Sequence, residues 1–348
     1  MDKYNIAQKT VIALVLAGMV MLVAVPLLYF SVVALSSAVE MSEFPKRIVP
    51  SMKLTVKVAP AENGEFEIFY DRRDGRGYRS VITSADPLRL ENHFKRQYNV
   101  NRTGQELIGD FSRTLREGPL EFSYSKAPLY NFAQFFKIVN NAAPALKNSI
   151  IVSLLTILIS LTLGSMAGFA MARYDFKFKD KINVGILVVR MFPVVGISIP
   201  MAKQLIRFGL FDTQLGLALL YSVPNIALTA WITSSIFMGI NRELEEASLI
   251  FGANAFQTFI HITLPLAFPA LAASSMYAFN TAWNDTISAL ILTSRNQTLS
   301  LVVYKAIGTT SSGTQYAAAG SIILIIPALV FTFIVRRYIN QMWGGAKL

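Results

Sequence analysis

Six apolar runs, each long enough to cross a bilayer, limit this chain more than any other feature. They lie at 11–36, 149–172, 182–206, 214–239, 262–292 and 318–338, and a spanning helix needs about 20 such residues. Backbone groups in hydrocarbon must be satisfied within the segment, so runs of this length predict helices. The expected fold is an all-α polytopic membrane protein with six transmembrane helices. Composition agrees: 53% of residues are hydrophobic and 15% are charged, against roughly 25% charged in soluble domains. A water-soluble enzyme is excluded. The first run follows Lys3 and Lys9 and exceeds the roughly 7–15 residues of a secretory signal core, so it reads as an anchor.

The net charge of +11 is informative through its placement. Short links carry Arg173, Lys177, Lys179 and Lys181 between spans two and three, and Arg336, Arg337 and Lys347 follow span six. Retention of basic links on the inner side puts both termini in the cytoplasm, together with the link at 241–261. The links at 207–213 and 293–317 then fall outside, as does a long segment, 40–130. This distribution accounts for the positive charge without nucleic acid. The chain has no cysteine, which excludes disulfides and thiolate chemistry. His93 and His261 lie too far apart in sequence to suggest a metal site.

Residues 41–130 differ in kind, with 15 Lys+Arg and 12 Asp+Glu, more than half of the 21 acids in the chain. Residues 52–58 alternate, 66–70 and 78–83 are rich in β-formers, and 120–124 offers another strand. Residues 71–77 read as a turn, and 87–98 as a short helix. The segment predicts a small α+β or mostly β domain inserted on the extracytoplasmic face. Arg72, Arg73, Arg76 and Arg79 are read as a solvated turn, and Asn101-Arg102-Thr103 matches the glycosylation triplet. Residues 126–147 return to the membrane through an aromatic, helix-competent stretch. The domain plan is a first helix to residue 39, the insert at 40–130, a membrane core at 131–340 and a tail at 341–348.

The most specific local signal is 241–265. Asn241 can cap a helix whose first turn carries Glu243, Glu245 and Glu246, favourable at the positive end of the helix dipole. Leu244, Leu249, Ile250 and Phe251 supply apolar surface that a solvated loop would not need. Gly252 permits a break before a second short helix. Two short helices meeting at a glycine suit docking in a partner's groove. With Glu246-Ala247-Ser248, Gly252, Ile262, Leu264 and Pro265, this stretch resembles the EAA loop of permease subunits in binding-protein-dependent ABC importers. It departs at Ser248, where alanine is usual. Asn148-Ser149, 170–173, Phe192-Pro193, 210–213, 282–285, 337–339 and 344–347 resemble the maltose-type carbohydrate permeases, specifically their six-span second subunit. Asp285 stands where glutamate is common, and the insert departs from that subunit's short first external loop.

The resemblance implies a bacterial inner-membrane subunit working with a second permease, two ATPase subunits and an extracytoplasmic sugar-binding protein. The implied cargo is a carbohydrate, an oligosaccharide or α-glucoside. It implies that Glu246, Ala247 and Gly252 dock in the ATPase cleft with Arg242 and Glu245 nearby, and that the tail 344–348 touches the ATPase dimer. There is no G-x-x-x-x-G-K-[ST] sequence, so no cofactor is expected in this chain, and ATP and Mg are expected in the partner ATPase.

Arg190 falls within span three, where an isolated charge costs at least about 2.5 kcal/mol, so it should face a cavity, the bundle interior or a partner. Sugars are held by aromatic faces with amide and carboxylate hydrogen bonds, which Asn280, Trp283, Asn284 and Asp285 could supply; a pairing of Asp285 with Arg190 is open. Pro193, Pro200, Pro224 and Pro327 read as kinks. A membrane-anchored sensor would need a cytoplasmic output domain. A secondary transporter would show inverted repeats or paired intramembrane acids. The sequence offers none of these features.

Overall fold

The computed structural model describes residues 6–43, 49–71, 77–309 and 313–343. Arg72, Arg73, Arg76, Lys3 and the tail 344–348 lie outside the described residues. Two compact units are present: residues 1–140 with 306–323, and residues 141–305 with 324–348.

In the first unit, helix α1 (Ile6–Leu35) leads through a single turn, α2 (Ala38–Met41), into a four-stranded antiparallel sheet. Its strands are β1 (Lys53–Pro60), β2 (Phe66–Asp71), β3 (Tyr78–Ser84) and β4 (Leu120–Ser125), in the order β3-β2-β1-β4. Alternation explains which face is covered: Leu54, Val56 and Val58 of β1 and Phe66, Ile68 and Tyr70 of β2 are buried, as a period of two requires. Helix α3 (Pro87–Tyr98) covers them with Leu90, Phe94 and Tyr98, spaced by four. Asp86 caps α3 by accepting from Leu88 N at 2.9 Å, and Asn99 closes it at φ 58°.

Two helices follow that the strand reading passed over, α4 (Gly104–Phe111) and α5 (Thr114–Glu117). The signal was present: Thr103 and Glu106 form a reciprocal capping box, so the glycosylation-like triplet ends on an N-cap. The first and last strands are neighbours, Lys53 opposite Ser125, so the chain enters and leaves the sheet at one place. Just outside it, Lys126 and Glu40 form a buried ion pair at 2.9 Å. Burial would raise the Glu40 carboxyl, but Lys126 and the backbone N–H groups of Ser37 and Ser51 hold it below its ordinary value. Helix α6 (Tyr130–Ile138) sends Asn131 to the end of α1, where its amide donates to the carbonyls of Ala34 and Ser36, both at 2.8 Å.

The second unit is helical. Helices α7 (Ala142–Arg173) and α10 (Gln214–Gly239) form its centre, with α8 (Lys179–Met191) and α9 (Val194–Arg207) between them in sequence. After α10 come α11 (Arg242–Ile250), α12 (Ala255–Thr258), a π-helical turn at Phe259–Thr263, α13 (Leu264–Leu266), α14 (Phe268–Asn284), α15 (Ile287–Leu292) and α16 (Leu299–Thr309), and then α17 (Thr314–Trp343). Lipid gives helices no hydrophobic reason to associate, so close packing through small residues does the work. A Cβ on Gly168 of α7 would lie 2.1 Å from Thr233 Oγ1 and 2.8 Å from the Ala230 carbonyl of α10. That backbone approach is open to glycine alone.

Among the described residues, four helices are long and apolar enough to cross a membrane, and the number is six when each of two bent pairs is taken as one span. The number agrees with the six expected spans, and the bends show how two of them are built. Span three breaks at Phe192-Pro193, where α8 and α9 diverge by 95°. Pro193 has no N–H to continue α8, and Phe192 is driven to extended backbone. The expected fifth span, 262–292, is shorter: α14 is its continuous part, and 255–266 departs from it by 79° at a break flanked by Pro265 and Pro269. By contrast, Pro200, Pro224 and Pro327 lie inside continuous helices. The expected external link 293–317 holds the apolar helix α16, too short to span. Asp212 ties two loops together by accepting from the backbone N–H groups of Ser294, Arg295 and Asn296 at 2.8–3.1 Å.

Candidate functional site

The loop after α10 is built as a rigid object. Asn241 caps α11 by accepting from Glu243 N at 3.1 Å. The helix ends in a Schellman arrangement: Ala253 N donates to Ser248 O at 3.1 Å and Gly252 N to Leu249 O at 3.0 Å. Gly252 sits at φ 88°, a left-handed conformation that side chains other than glycine strain to reach. A Cβ there would meet nothing within 4 Å, so backbone angle rather than crowding within the chain demands the glycine. Asn254 and Gln257 then form a reciprocal capping box on α12, with both hydrogen bonds at 2.9 Å.

Beneath α11 lies a buried charge cluster. Arg173, the last residue of α7, grips the carboxylate of Glu245 with Nε to Oε1 and Oε2 at 3.0 and 2.8 Å and Nη2 to Oε1 at 2.7 Å. The same Nη2 donates to the carbonyl of Ile240 at the end of α10 (3.1 Å), and Thr263 Oγ1 donates to Glu245 Oε1 (2.9 Å). The two ionic side chains are 8% and 11% exposed. Three elements, α7, α11 and the π-helical turn, thus meet on one carboxylate, and Arg173 ties the end of α10 to them. Ser248, where the family pattern has alanine, donates to the Glu245 carbonyl at 2.8 Å and meets Thr258 Oγ1 at 2.7 Å, joining α11 to α12. The rings of Phe169, Phe237 and Phe259 pack together close by, with centroids 5.0–6.2 Å apart.

The outer face of α11 is the opposite. Ile250 is 84% exposed and Phe251 91%, and Leu244, Leu249 and Phe256 are exposed beside them. Apolar side chains this bare, next to one another on a rigid turn, mark an interaction surface. Arg242, Glu246, Ala247 and Gly252 are exposed as well. Glu245 is different from these expected docking residues: it is buried and turned inward to Arg173. A pocket of about 190 Å³ opens between the end of α7 and α11, with Arg173, Arg242, Glu246 and Leu249 in its wall.

Of the other expected site residues, only Asn280 and Asn284 are brought together, on one exposed face of α14. Arg190 lies in the last turn of α8 and is exposed. Asp285 accepts from Tyr221 Oη at 2.8 Å and from Ser288 N at 2.9 Å, capping α15, so Arg190 is not its partner in this structure. Trp283 is fully buried, stacked on Phe279 at 5.3 Å with its indole N–H donating to Leu324 O at 3.0 Å. Asn280 and Asn284 are exposed on α14, and Tyr277 shares their face. The sequence reading missed Tyr277, although the spacing 277, 280, 284 is that of one helical face. Among the described residues, no group of three His, Cys, Asp or Glu is placed to hold a metal ion.

A family profile, the inner membrane component of binding-protein-dependent transport systems, matches residues 160–343. The trehalose transport system permease protein SugB of Mycobacterium tuberculosis (strain CDC 1551 / Oshkosh) is 37% identical over 207 residues, covering 58% of this chain and 76% of that protein. The trehalose/maltose transport system permease protein MalG of Thermococcus litoralis (strain ATCC 51850 / DSM 5473 / JCM 8560 / NS-C) is 30% identical over 228 residues, covering 64% and 81%. In fold, the chain is similar to a chain of a crystal structure of a bacterial ABC transporter involved in the import of the acidic polysaccharide alginate. The TM-score is 0.60 at 17% identity, and the match covers 97% of this chain and 99% of that one. The likeness therefore takes in the insert as well as the helices.

Proposed function

The chain belongs to the family of inner membrane components of binding-protein-dependent transport systems, as the permease component of an ABC importer, and on that premise we propose that its cargo is a carbohydrate of the oligosaccharide or α-glucoside class. The names of its relatives, which include trehalose, trehalose/maltose and arabinooligosaccharide permeases, support the sugar assignment. The chain works with a second permease, two ATPase subunits that bind ATP and Mg, and an extracytoplasmic binding protein. Both termini and the loop 241–265 face the cytoplasm, in keeping with the basic links.

The observation that carries the mechanism is the pairing of a bare apolar turn with a buried clamp. Ile250 and Phe251 enter a groove on the ATPase, with Glu246 and Ala247 on the adjoining surface. Closure of the ATPase dimer moves α11 as a rigid body, because its caps leave it no slack. The Arg173–Glu245–Thr263 cluster passes that motion to α7 and α10. Glu245 is thus a positioning residue, acting through Arg173 rather than on the partner. On the path itself, the exposed polar face of α14, Tyr277, Asn280 and Asn284, hydrogen-bonds solute in this reading, and the breaks beside Pro193 and Pro265 supply hinges.

The test is co-purification of the tagged chain with its ATPase and second permease in mild detergent, read with ATPase activity. Phe251→Asp with Ile250→Asp is expected to lose the ATPase subunits while keeping the second permease, since the folded loop presents both residues to solvent. Full retention of the ATPase by this variant would overturn the docking assignment. Purification of the natural chain without either partner would overturn the assembly.

A further inference from the structure

A groove on the second unit lies between α7, α8 and α10. Its volume is about 500 Å³, and its wall includes Ala167, Ile182, Gly185, Val189 and Ile226, with Lys181 at one end. The geometry points to a binding site for one anionic phospholipid of the cytoplasmic leaflet, an acyl chain along the groove and the phosphate at its lysine end. This rests on the orientation given above, in which the link 174–178 is cytoplasmic.

Three observations carry it. The first is charge at the mouth. Asp175 is engaged by Lys179 at 3.0 Å, which leaves Lys177 and Lys181 against the exposed Asp180. Among the described residues, neither of these two lysines has an ion-pair partner. Their ammoniums converge on one ring, 5.2 and 5.1 Å from the centroid of Phe178. The second is the setting of that ring. Tyr174, Phe176 and Phe178 are all exposed, and an exposed tyrosine beside lysines suits the headgroup level, where tyrosine is enriched. The third is length. Lys181 to Val189 spans about 12 Å of helix at 1.5 Å per residue, close to the roughly 15 Å of hydrocarbon in one leaflet. An acyl chain with a phosphate at its head matches both the apolar wall and the charge.

The experiment uses the assembled importer in nanodiscs of equal phosphatidylglycerol and phosphatidylcholine, followed by native mass spectrometry of the lipid that stays bound. Phosphatidylglycerol is expected to be retained preferentially. Lys181→Gln and Lys177→Gln should each weaken that preference about fivefold, the equivalent of the roughly 1 kcal/mol that one basic residue gains at an anionic surface. Gly185→Trp should expel either lipid, because a Cβ at Gly185 meets nothing within 4 Å and the indole can fill the groove without moving the backbone. Unchanged lipid selectivity in both lysine variants would overturn the proposal, and so would displacement by millimolar inorganic phosphate, which would make it a free-anion site. Gly185→Cys gives the chain its one thiol. Its cross-linking to the second permease would assign the groove to a protein helix instead. Labelling of Lys181→Cys by an impermeant maleimide from the outer side alone would refute the orientation, separately from the lipid measurement.

Discussion

A single carboxylate, Glu245, has the most consequential surroundings of any residue here. It takes hydrogen bonds from Arg173 and Thr263 in a nearly closed environment, and breaking a buried pair on one side leaves the other charge without compensation. Such losses run to about 3–5 kcal/mol, whereas replacing both partners by apolar residues of similar volume is far milder. Glu245→Ala and Arg173→Ala should each lower the melting temperature of the detergent-solubilised chain. Arg173→Met with Glu245→Met should recover most of it, yet still show reduced transport per ATP hydrolysed. A double variant as unstable as the single ones would mean that the cluster contributes through its contacts with Ile240 and Thr263 and not as a pair. At this scale the sequence was legible in part. Asn241 and Gly252 announced a capped helix and its stop, because capping depends on neighbours in the chain. The role of Glu245 was not legible, because its partner lies 72 residues away and nothing local distinguishes it from Glu246 beside it.

At the scale of elements, α7 and α10 hold the second unit together by proximity of backbones. Gly164 and Gly168 of α7 lie one turn apart against Thr229 and Thr233 of α10, the small-residue spacing that lets membrane helices approach. Gly168→Leu should prevent this contact: the first added carbon already collides, and backbone atoms of α10 are among its neighbours. The expected result is loss of monodisperse protein on size exclusion in detergent. Gly18→Leu in α1, whose Cβ meets nothing within 4 Å, should leave the profile unchanged and serves as the control for helix propensity. If Gly168→Leu behaved like that control, the packing of these two helices would not determine the fold. Spans and strands were legible here because both depend on hydrophobic period and length. The bends were legible in part, since hydropathy is blind to direction: Pro193 reads as a kink, but nothing marks the break between Pro265 and Pro269, and no residue gives the angles of 95° and 79°.

For the whole molecule, the arrangement of strands gives a sharper expectation than the sequence could. The sheet of the insert begins at β1 and ends at β4, and Lys53 faces Ser125 across that pair, so the cut ends of an excised 53–125 segment would be adjacent. The Lys126–Glu40 pair and the capping of α1 by Asn131 fall outside the excision. The proposed coupling surface is drawn from 241–265 and Arg173. Removing 53–125 with a short Gly-Ser join should therefore leave co-purification with the ATPase and basal ATP hydrolysis intact. Composition had already marked this segment as a separate material, and its strands were legible from alternation, but the adjacency of its ends is a property of strand order, which no window of sequence contains. The informative measurement is stimulation by the binding protein, run on the same preparation. If basal hydrolysis persists while stimulation is lost, the insert serves the outer partner. If hydrolysis and assembly fall together, the sheet is required for the helices to fold, and the independence argued from its paired ends is wrong.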